Sequence, residues 1–213
     1  SFYISNRTKV NYNDLSPHLI DALISTEDVR FRDHSGVDVK ALTRAVFGVF
    51  IGKNKGGAST ITQQLSKMMF HERPKSKFKR VLQKFAEWII ASRLEKRYTK
   101  EEIISMYFNE FDFLNTAVGI HSASRIYFNK LPNELTVQEA AMLVGMAKNP
   151  SIYNPIRRPE KTLKRREVVL FQMKKNEILN QNEYDSLRLL PLGINYHPET
   201  HNTGLAPYFR EHI

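Results

Sequence analysis

The chain is organised around one ten-residue stretch, positions 27–36, which reads E-D-V-R-F-R-D-H-S-G. It places two adjacent carboxylates, an aromatic ring, a histidine and a glycine at a spacing that neither helical nor strand periodicity explains. A carboxylate acts as a general base when burial or a neighbouring like charge favours its protonated form. Asp28 supplies such a neighbour to Glu27, and Phe31 supplies an apolar wall. The alternative interpretation is an exposed acidic turn in which Asp28 or Asp33 caps a helix.

Composition limits the class of protein. A chain of 213 residues suffices for one domain with its own core, or for one domain and a tail. The formal net charge of +10 indicates a polyanionic partner or an anionic surface, such as nucleic acid, acidic lipid or a phosphate-bearing substrate. The absence of cysteine excludes disulfides, thiol catalysis and cysteine metal sites. No apolar run approaches the ~20 residues of a membrane-spanning helix, so we expect any membrane anchor to lie outside this sequence.

Helical periodicity recurs along the chain, whereas strand-like alternation is scarce. Capping boxes, in which Thr or Asn precedes Glu or Gln by three residues, predict helix starts at Thr60, Thr99, Thr136 and Asn180. The very apolar segment 140–147 is predicted to be the central buried helix. These features predict an all-α fold, with one domain over residues 1–189 and a C-terminal extension over 190–213.

A long helix is predicted from residue 78 onward. Its apolar residues repeat at helical spacing, and we expect them to face the core: Val81, Leu82, Phe85, Trp88, Ile89 and Ser92. Lys84 and Glu87 lie on another face, and such a pair is usually a surface ion pair worth ~0.2–0.5 kcal/mol. Only a site opposite that face would give Glu87 a function.

Two further segments have alternative interpretations. The apolar segment 45–51 is flanked by lysines and arginines, so it is either a membrane-interface helix or an ordinary buried helix. The helix that begins near Thr60 carries a polar stripe of amides, a hydroxyl and one ammonium. These groups can hydrogen-bond sugar hydroxyls and neutralise phosphate, or they form a solvated face. The stripe comprises Thr60, Gln63, Gln64 and Lys67.

Five short segments follow one another between residues 27 and 170. The first is E-D-x-x-F-x-x-H-x-G, and the second is G-x-S-T-I-T-Q-Q with Lys67 beyond it. The others are Q-K-F-A-E at 83–87, I-I-x-x-Y-x-N at 103–109 and R-R-x-x-V-L at 165–170. In this order they resemble the motifs of the peptidoglycan glycosyltransferase family, the domain shared by monofunctional transglycosylases and class A penicillin-binding proteins.

The sequence departs from the family pattern at a few positions. Gln83 stands where the family has arginine, and Met68 replaces a common asparagine. The family's phosphate-binding arginine is matched by either Lys79 or Arg80. The final residues, A-P-Y-F-R-E-H-I, resemble a linker that leads into a transpeptidase domain.

The resemblance implies a lysozyme-like domain with a large helical lobe and a smaller membrane-dipping lobe, for which residues 38–55 are the candidate. It implies polymerisation of lipid II at the outer face of the bacterial cytoplasmic membrane. The 4-hydroxyl of the acceptor's N-acetylglucosamine attacks the anomeric carbon of the donor's N-acetylmuramic acid. Undecaprenyl pyrophosphate leaves, and inversion gives a β-1,4 bond. The implied partners are lipid II, the glycan chain, the anionic membrane surface and other cell-wall synthesis proteins.

The resemblance also implies roles for individual residues. Glu27 is the expected general base, with Asp28 and His34 fixing the geometry around it. Asp28, Phe31 and His34 are also expected among the substrate-binding residues. Glu87 is the expected second catalytic carboxylate, and it is also the candidate ligand for Mg²⁺ or another divalent cation. The expected pyrophosphate-binding cations are Lys67, Lys84 and either Lys79 or Arg80. The residues expected to hold sugars or phosphates are Ser59, Thr62, Gln63 and Gln64.

Two other functions fit parts of the sequence. A lysozyme-like hydrolase keeps the fold and uses paired carboxylates, but a neutral glycan leaving group needs an acid rather than a cluster of cations. A basic nucleic-acid-binding module fits the charge. The sequence has neither zinc-finger spacing nor an RNP-type aromatic motif, and its best-matched residues are carboxylates and amides. We therefore expect no nucleic-acid partner.

Overall fold

The computed structural model describes residues 8–50, 59–69 and 76–198. These residues form nine α-helices and three short 3₁₀ turns, and their extended backbone pairs only at an isolated bridge between Asp112 and Val118. The prediction of an all-α fold is confirmed for the described part of the chain. In chain order the helices are α1 (Pro17–Glu27), α2 (Val39–Phe50), α3 (Ile61–Met68), α4 (Lys77–Arg97), α5 (Lys100–Glu110), α6 (Ile120–Phe128), α7 (Val137–Ala147), α8 (Pro159–Lys175) and α9 (Gln181–Leu189).

The helices begin where side chains satisfy the first free backbone N–H groups. Thr60 accepts from the Gln63 N–H at the start of α3, and Thr99 accepts from the Glu102 N–H at the start of α5. Asn180 caps α9 in the same way through the Glu183 N–H. At Thr136 the reciprocal half of the box forms, because Glu139 accepts the Thr136 N–H at 2.9 Å. All four predicted starts are confirmed to within one residue.

The core is centred on α7, which packs against α1 and α8. Residues 140–144 of α7 are at most 1% exposed, so the prediction of a central buried helix is confirmed. Leu19 and Leu23 of α1 and Val169 of α8 complete this layer, and all three are fully buried. Burial of a side chain of this kind contributes about 1.5–3 kcal/mol relative to exposure.

The predicted core face of α4 is wrong. Trp88 and Ser92 on that face are half-buried, but five of its large apolar side chains are more than half exposed, namely Phe78, Val81, Leu82, Phe85 and Ile89. The face of α4 that meets the rest of the domain instead carries Glu87 and Ala91, which are buried. Periodicity correctly identified an apolar face, but it could not show that α4 packs against α3 and α5 through the opposite, polar face.

The membrane-dipping lobe was predicted at residues 38–55. Helix α2 occupies most of that segment, and Val39 and Phe47 on it are exposed. Positions 51–55 lie outside the described residues. No helix in the described part combines the length and apolar character that crossing a bilayer requires.

Residues 190–198, the described part of the predicted C-terminal extension, lie against the helical domain. The N–H groups of Asn195 and His197 donate to backbone carbonyls of α6. The guanidinium of Arg166, from α8, donates to the carbonyls of Arg188, Leu190 and Pro191. Burial lowers the pKa of Arg166 from its usual value, although the group stays protonated. The role of the extension as a linker stays a prediction.

Arg166→Met should reduce the free energy of unfolding by roughly 2–4 kcal/mol, because the carbonyls that follow α9 lose a buried charged donor. Chemical denaturation measures this loss. Lys164→Met, on the exposed side of the same helix, is the matched control and should stay within about 0.5 kcal/mol of the unaltered protein. Equal losses in both variants would contradict a specific role for Arg166.

Candidate active site

Glu27 ends α1 and lies where α3 and α8 approach. Its Oε2 accepts a hydrogen bond from the Gln64 amide Nε2 at 2.8 Å. Its Oε1 lies 3.7 Å from Nη2 of Arg165, which is itself nine-tenths buried. The Glu27 side chain is 18% exposed, so it is held on two sides and open on a third. A fixed carboxylate with an open face can accept a proton from a bound hydroxyl.

The orientation of Gln64 is set by Tyr107 from α5. The Tyr107 hydroxyl donates to Gln64 Oε1 at 3.2 Å, which directs Nε2 of the same amide toward Glu27. Burial and then the negative charge of Glu27 raise the pKa of Tyr107 well above its usual range. The hydroxyl therefore keeps its proton and remains a donor.

Asp28 joins the loop after α1 to the start of α3. Both of its carboxylate oxygens lie 3.0 Å from Nε2 of His34, and Oδ2 also accepts the N–H of Ile61 at 3.0 Å. Asp28 thus caps a helix, as the alternative interpretation of this stretch proposed. It is buried rather than exposed, however, and the helix that it caps is α3, which is distant in the sequence.

The end of the 27–36 stretch lies against α4 through Gly36. Phe31 is fully buried, and the Thr60 hydroxyl donates to the carbonyl of Gly36 at 2.6 Å. Gly36 has a φ of +88°, and a Cβ there would lie 2.7 Å from the carbonyl carbon of Ala91. Both the left-handed conformation and this close approach require glycine.

A second polar cluster lies beside Ser59, just before α3 begins. The Lys84 ammonium is 2.7 Å from Oε2 of Glu87 and 3.4 Å from the Ser59 hydroxyl. Glu87 is only 2% exposed, whereas Lys84 is half exposed. With one buried partner, this ion pair differs from the fully exposed pair that helical spacing alone indicated.

A shallow groove of about 270 Å³ adjoins Lys84. Its lining is apolar and belongs to α4, with the aliphatic stems of two cationic residues at its edge: Arg80, Val81, Lys84, Phe85 and Trp88. Lys67 and Lys79 are also exposed on α3 and α4. An apolar groove with cationic residues at its edge suits an anion that carries a hydrocarbon chain.

Thr62 and Gln63 lie inside the protein. The Thr62 hydroxyl donates to Glu95 at 2.6 Å, and the Gln63 side chain accepts the N–H of Thr60. Both residues are at most 3% exposed, so in this conformation neither side chain is available to a ligand. Their predicted contact with sugars or phosphates stays a prediction.

Two groups of residues are candidates for a metal site. Oxygen and nitrogen atoms of Asp28, His34 and Asp38 lie within 4.8 Å of one another, so this group could bind a metal. The Asp38 carboxylate, however, already accepts from Arg30 and from the Ala41 N–H, and an incoming cation would have to displace the Arg30 guanidinium. At Glu87 the structure provides a single carboxylate bonded to an ammonium. There too a cation would have to displace a bonded ammonium, so Glu87 as a ligand for Mg²⁺ stays a prediction.

The geometry can be compared with known proteins. A family model described as Transglycosylase matches residues 2–174. The chain belongs to the transglycosylase family. It is 36% identical over 214 residues to penicillin-binding protein 1F of Bacillus subtilis, covering 100% of this chain and 29% of that protein. It is 35% identical over 209 residues to penicillin-binding protein 1A of Escherichia coli, covering 97% of this chain and 24% of that protein. This transglycosylase chain thus spans less than a third of the length of these relatives.

The fold of this transglycosylase chain is similar to that of a solved relative. The crystal structure of penicillin-binding protein 1A from Haemophilus influenzae matches with a TM-score of 0.53 and 22% identity. The match covers 89% of this chain and 18% of that one. This likeness supports the fold, while the family predicted from the five motifs is confirmed by the family model and the relatives named above.

Sequence reasoning missed several neighbours of the predicted transglycosylase site. Arg165 and Tyr107 belong to the fifth and fourth motifs, but their spacing gave no indication that they approach Glu27 and Gln64. For Arg165 and Arg166 a structural role was as plausible as a functional one. The structure separates them, because Arg165 faces Glu27 whereas Arg166 binds the segment after α9.

Asp28→Asn should reduce the free energy of unfolding by about 1–3 kcal/mol. An amide oxygen can still accept the Ile61 N–H, but the neutral amide loses the stronger bonds that a charged carboxylate makes to Ile61 and His34. Chemical denaturation at neutral pH measures the effect. Asp33→Asn is the matched control on the same loop, where the side chain is exposed, and should change stability by less than about 0.5 kcal/mol. A stable Asp28→Asn variant would contradict the conclusion that Asp28 joins the loop after α1 to the start of α3.

Proposed function

We propose that this chain is a peptidoglycan glycosyltransferase that polymerises lipid II during bacterial cell-wall synthesis. The observation that carries the proposal is a restrained, partly open carboxylate together with an apolar groove edged by the cationic residues Lys84 and Arg80. The reaction requires both parts: a base for the attacking hydroxyl and cations for a lipid-linked pyrophosphate.

Glu27 is the proposed general base. As the acceptor's 4-hydroxyl attacks the anomeric carbon of the donor, its proton passes to a Glu27 oxygen. The Gln64 amide and the Arg165 guanidinium hold the carboxylate in one orientation, so the open side faces the substrate. General-base catalysis of this kind typically contributes ~10²–10⁴ in rate.

Lys84 and Arg80 are the proposed contacts for the departing pyrophosphate, with Lys67 and Lys79 as further cations on the same two helices. The Lys84 ammonium lies beside Ser59, five residues before Gln64, so base and cation are on the order of 10 Å apart along α3. One sugar unit and its pyrophosphate can bridge such a distance. The apolar groove walls then meet the start of the undecaprenyl chain.

Glu87 orients Lys84 and is the proposed ligand for Mg²⁺ or another divalent cation. Such an ion, when bound, neutralises negative charge on the leaving pyrophosphate. The buried carboxylate keeps the Lys84 ammonium within the site, at 2.7 Å, instead of leaving it mobile in solvent. Asp28, Phe31 and His34 act indirectly in this proposal, because they fix the loop that carries Glu27.

The proposed location is the outer face of the cytoplasmic membrane. The exposed apolar face of α4, flanked by Lys79 and Arg80, is suited to an anionic bilayer surface. Exposed apolar residues on α2, such as Phe47, support the same contact. Because the relatives are longer penicillin-binding proteins, we also propose that a transpeptidase domain accompanies this one and that other cell-wall synthesis proteins are partners.

Glu27→Gln should lower the rate of lipid II polymerisation by about 10²–10⁴, because the amide cannot accept the hydroxyl proton. The assay measures glycan strands formed with Mg²⁺ and detergent, after unfolding curves show that the variant is folded. Glu160→Gln, an exposed position on α8, is the matched control and should retain full activity. Activity in Glu27→Gln would exclude Glu27 as the base. Cleavage of finished peptidoglycan without polymerisation would instead support the hydrolase.

Replacing both Phe78 and Val81 with serine should weaken binding to vesicles that contain anionic phospholipid by at least tenfold. Each buried apolar side chain contributes about 1.5–3 kcal/mol to such a contact. Vesicle co-sedimentation measures the change. Leu189→Ser, at an exposed apolar position on α9, is the control and should leave binding unchanged. If the double variant of Phe78 and Val81 binds vesicles as well as Leu189→Ser does, α4 is not the membrane-facing surface.

A further inference from the structure

Glu95 and Lys100 form an ion pair behind the proposed active site. Glu95 lies in the last turns of α4 and Lys100 begins α5, and their charged atoms are 2.7 Å apart. The Glu95 side chain is 4% exposed and that of Lys100 is 22% exposed. Neither residue belongs to the five motifs, and neither was predicted to have a function.

The pair connects two separate parts of the site. Glu95 accepts a hydrogen bond from the Thr62 hydroxyl of α3 at 2.6 Å. Lys100 donates to the carbonyl of His34 at 2.6 Å, and its ammonium lies 4.3 Å from the centre of the Phe31 ring. One ion pair thus holds both α3 and the loop that follows Glu27.

Buried charges are a poor choice when stability is the only requirement. The desolvation of two ions offsets most of their attraction, and apolar residues of similar size often stabilise a protein equally well. Apolar residues cannot, however, bond a hydroxyl on one element and a carbonyl on another in fixed directions. The distinctive contribution of this pair is therefore geometric.

The two elements that the pair connects carry the two partners of the hydrogen bond between Gln64 and Glu27. Thr62 precedes Gln64 by two residues on α3, and the loop held by Lys100 begins directly after Glu27. We propose that Glu95 and Lys100 are positioning residues, which keep Gln64 and Glu27 at their observed 2.8 Å separation without touching substrate. This inference rests on the proposed function, because it assigns Glu27 as the group being positioned.

The test uses Glu95→Gln and Lys100→Met, which keep the shape of each side chain and remove its charge. We expect kcat for lipid II polymerisation to fall by about 10–100-fold with KM within twofold, because small misplacements of catalytic groups reduce rate rather than binding. Lys100→Arg, which restores the charge, should recover most of the lost activity. Matched controls are Glu139→Gln and Lys130→Met, which break a similar 2.8 Å ion pair at the start of α7 and should leave kcat unchanged.

A second readout does not depend on activity. The Ile61 N–H donates to Asp28, which connects the start of α3 to the loop after Glu27. The rate of hydrogen exchange at Ile61 therefore reports whether this loop and α3 stay bonded to each other. We expect exchange at Ile61 to accelerate at least tenfold in Glu95→Gln and Lys100→Met, and not in the control pair. Unchanged exchange, unchanged kcat, or equal effects in the control pair would overturn the proposal. If the unaltered chain forms no glycan strands, the proposed function fails, and exchange at Ile61 still decides whether the pair positions the loop.

Discussion

The site depends on one hydrogen-bonded joint, where Asp28 accepts the first N–H of α3 while it holds His34. Asp28 is adjacent to Glu27, and Ile61 lies three residues before Gln64. The same bond that starts α3 therefore determines where the proposed base meets the amide that orients it. Gly36 closes the loop from the other side, because only a residue without a side chain can lie against the backbone of Ala91.

Two adjacent arginines inside this helical domain bind different partners. The adjacent residues Arg165 and Arg166 point in different directions, because successive residues on a helix are about 100° apart. One guanidinium faces the carboxylate of Glu27, and the other binds the carbonyls after α9. A single turn of α8 therefore supports both the proposed active site and the attachment of the C-terminal segment. The buried carboxylates of α4 likewise bind different partners, because Glu87 pairs with Lys84 of the same helix and Glu95 accepts from Thr62 of α3.

The orientation of α4 links the fold to the proposed substrate. In most surface helices the apolar side faces the core and the charged side faces water. Here the buried side includes charged residues that serve the site, and the exposed side is apolar. An exposed apolar face flanked by lysine and arginine is unfavourable in water but suited to a membrane surface. The same reversal places Lys84 at the edge of a groove whose apolar walls suit a lipid-linked anion.

The sequence by itself determined the all-α class, the four capped helix starts, the central buried helix and the family, because these depend on residues that are close together in the chain. Capping boxes and helical periods act over three to seven residues, and each motif is similarly short. Only the tertiary structure showed which face of α4 is buried, that Arg165 and Tyr107 approach the Glu27–Gln64 pair, and that Glu95 and Lys100 connect α3 to the loop. These contacts join residues 33 to 138 positions apart, and their formation depends on how whole helices pack.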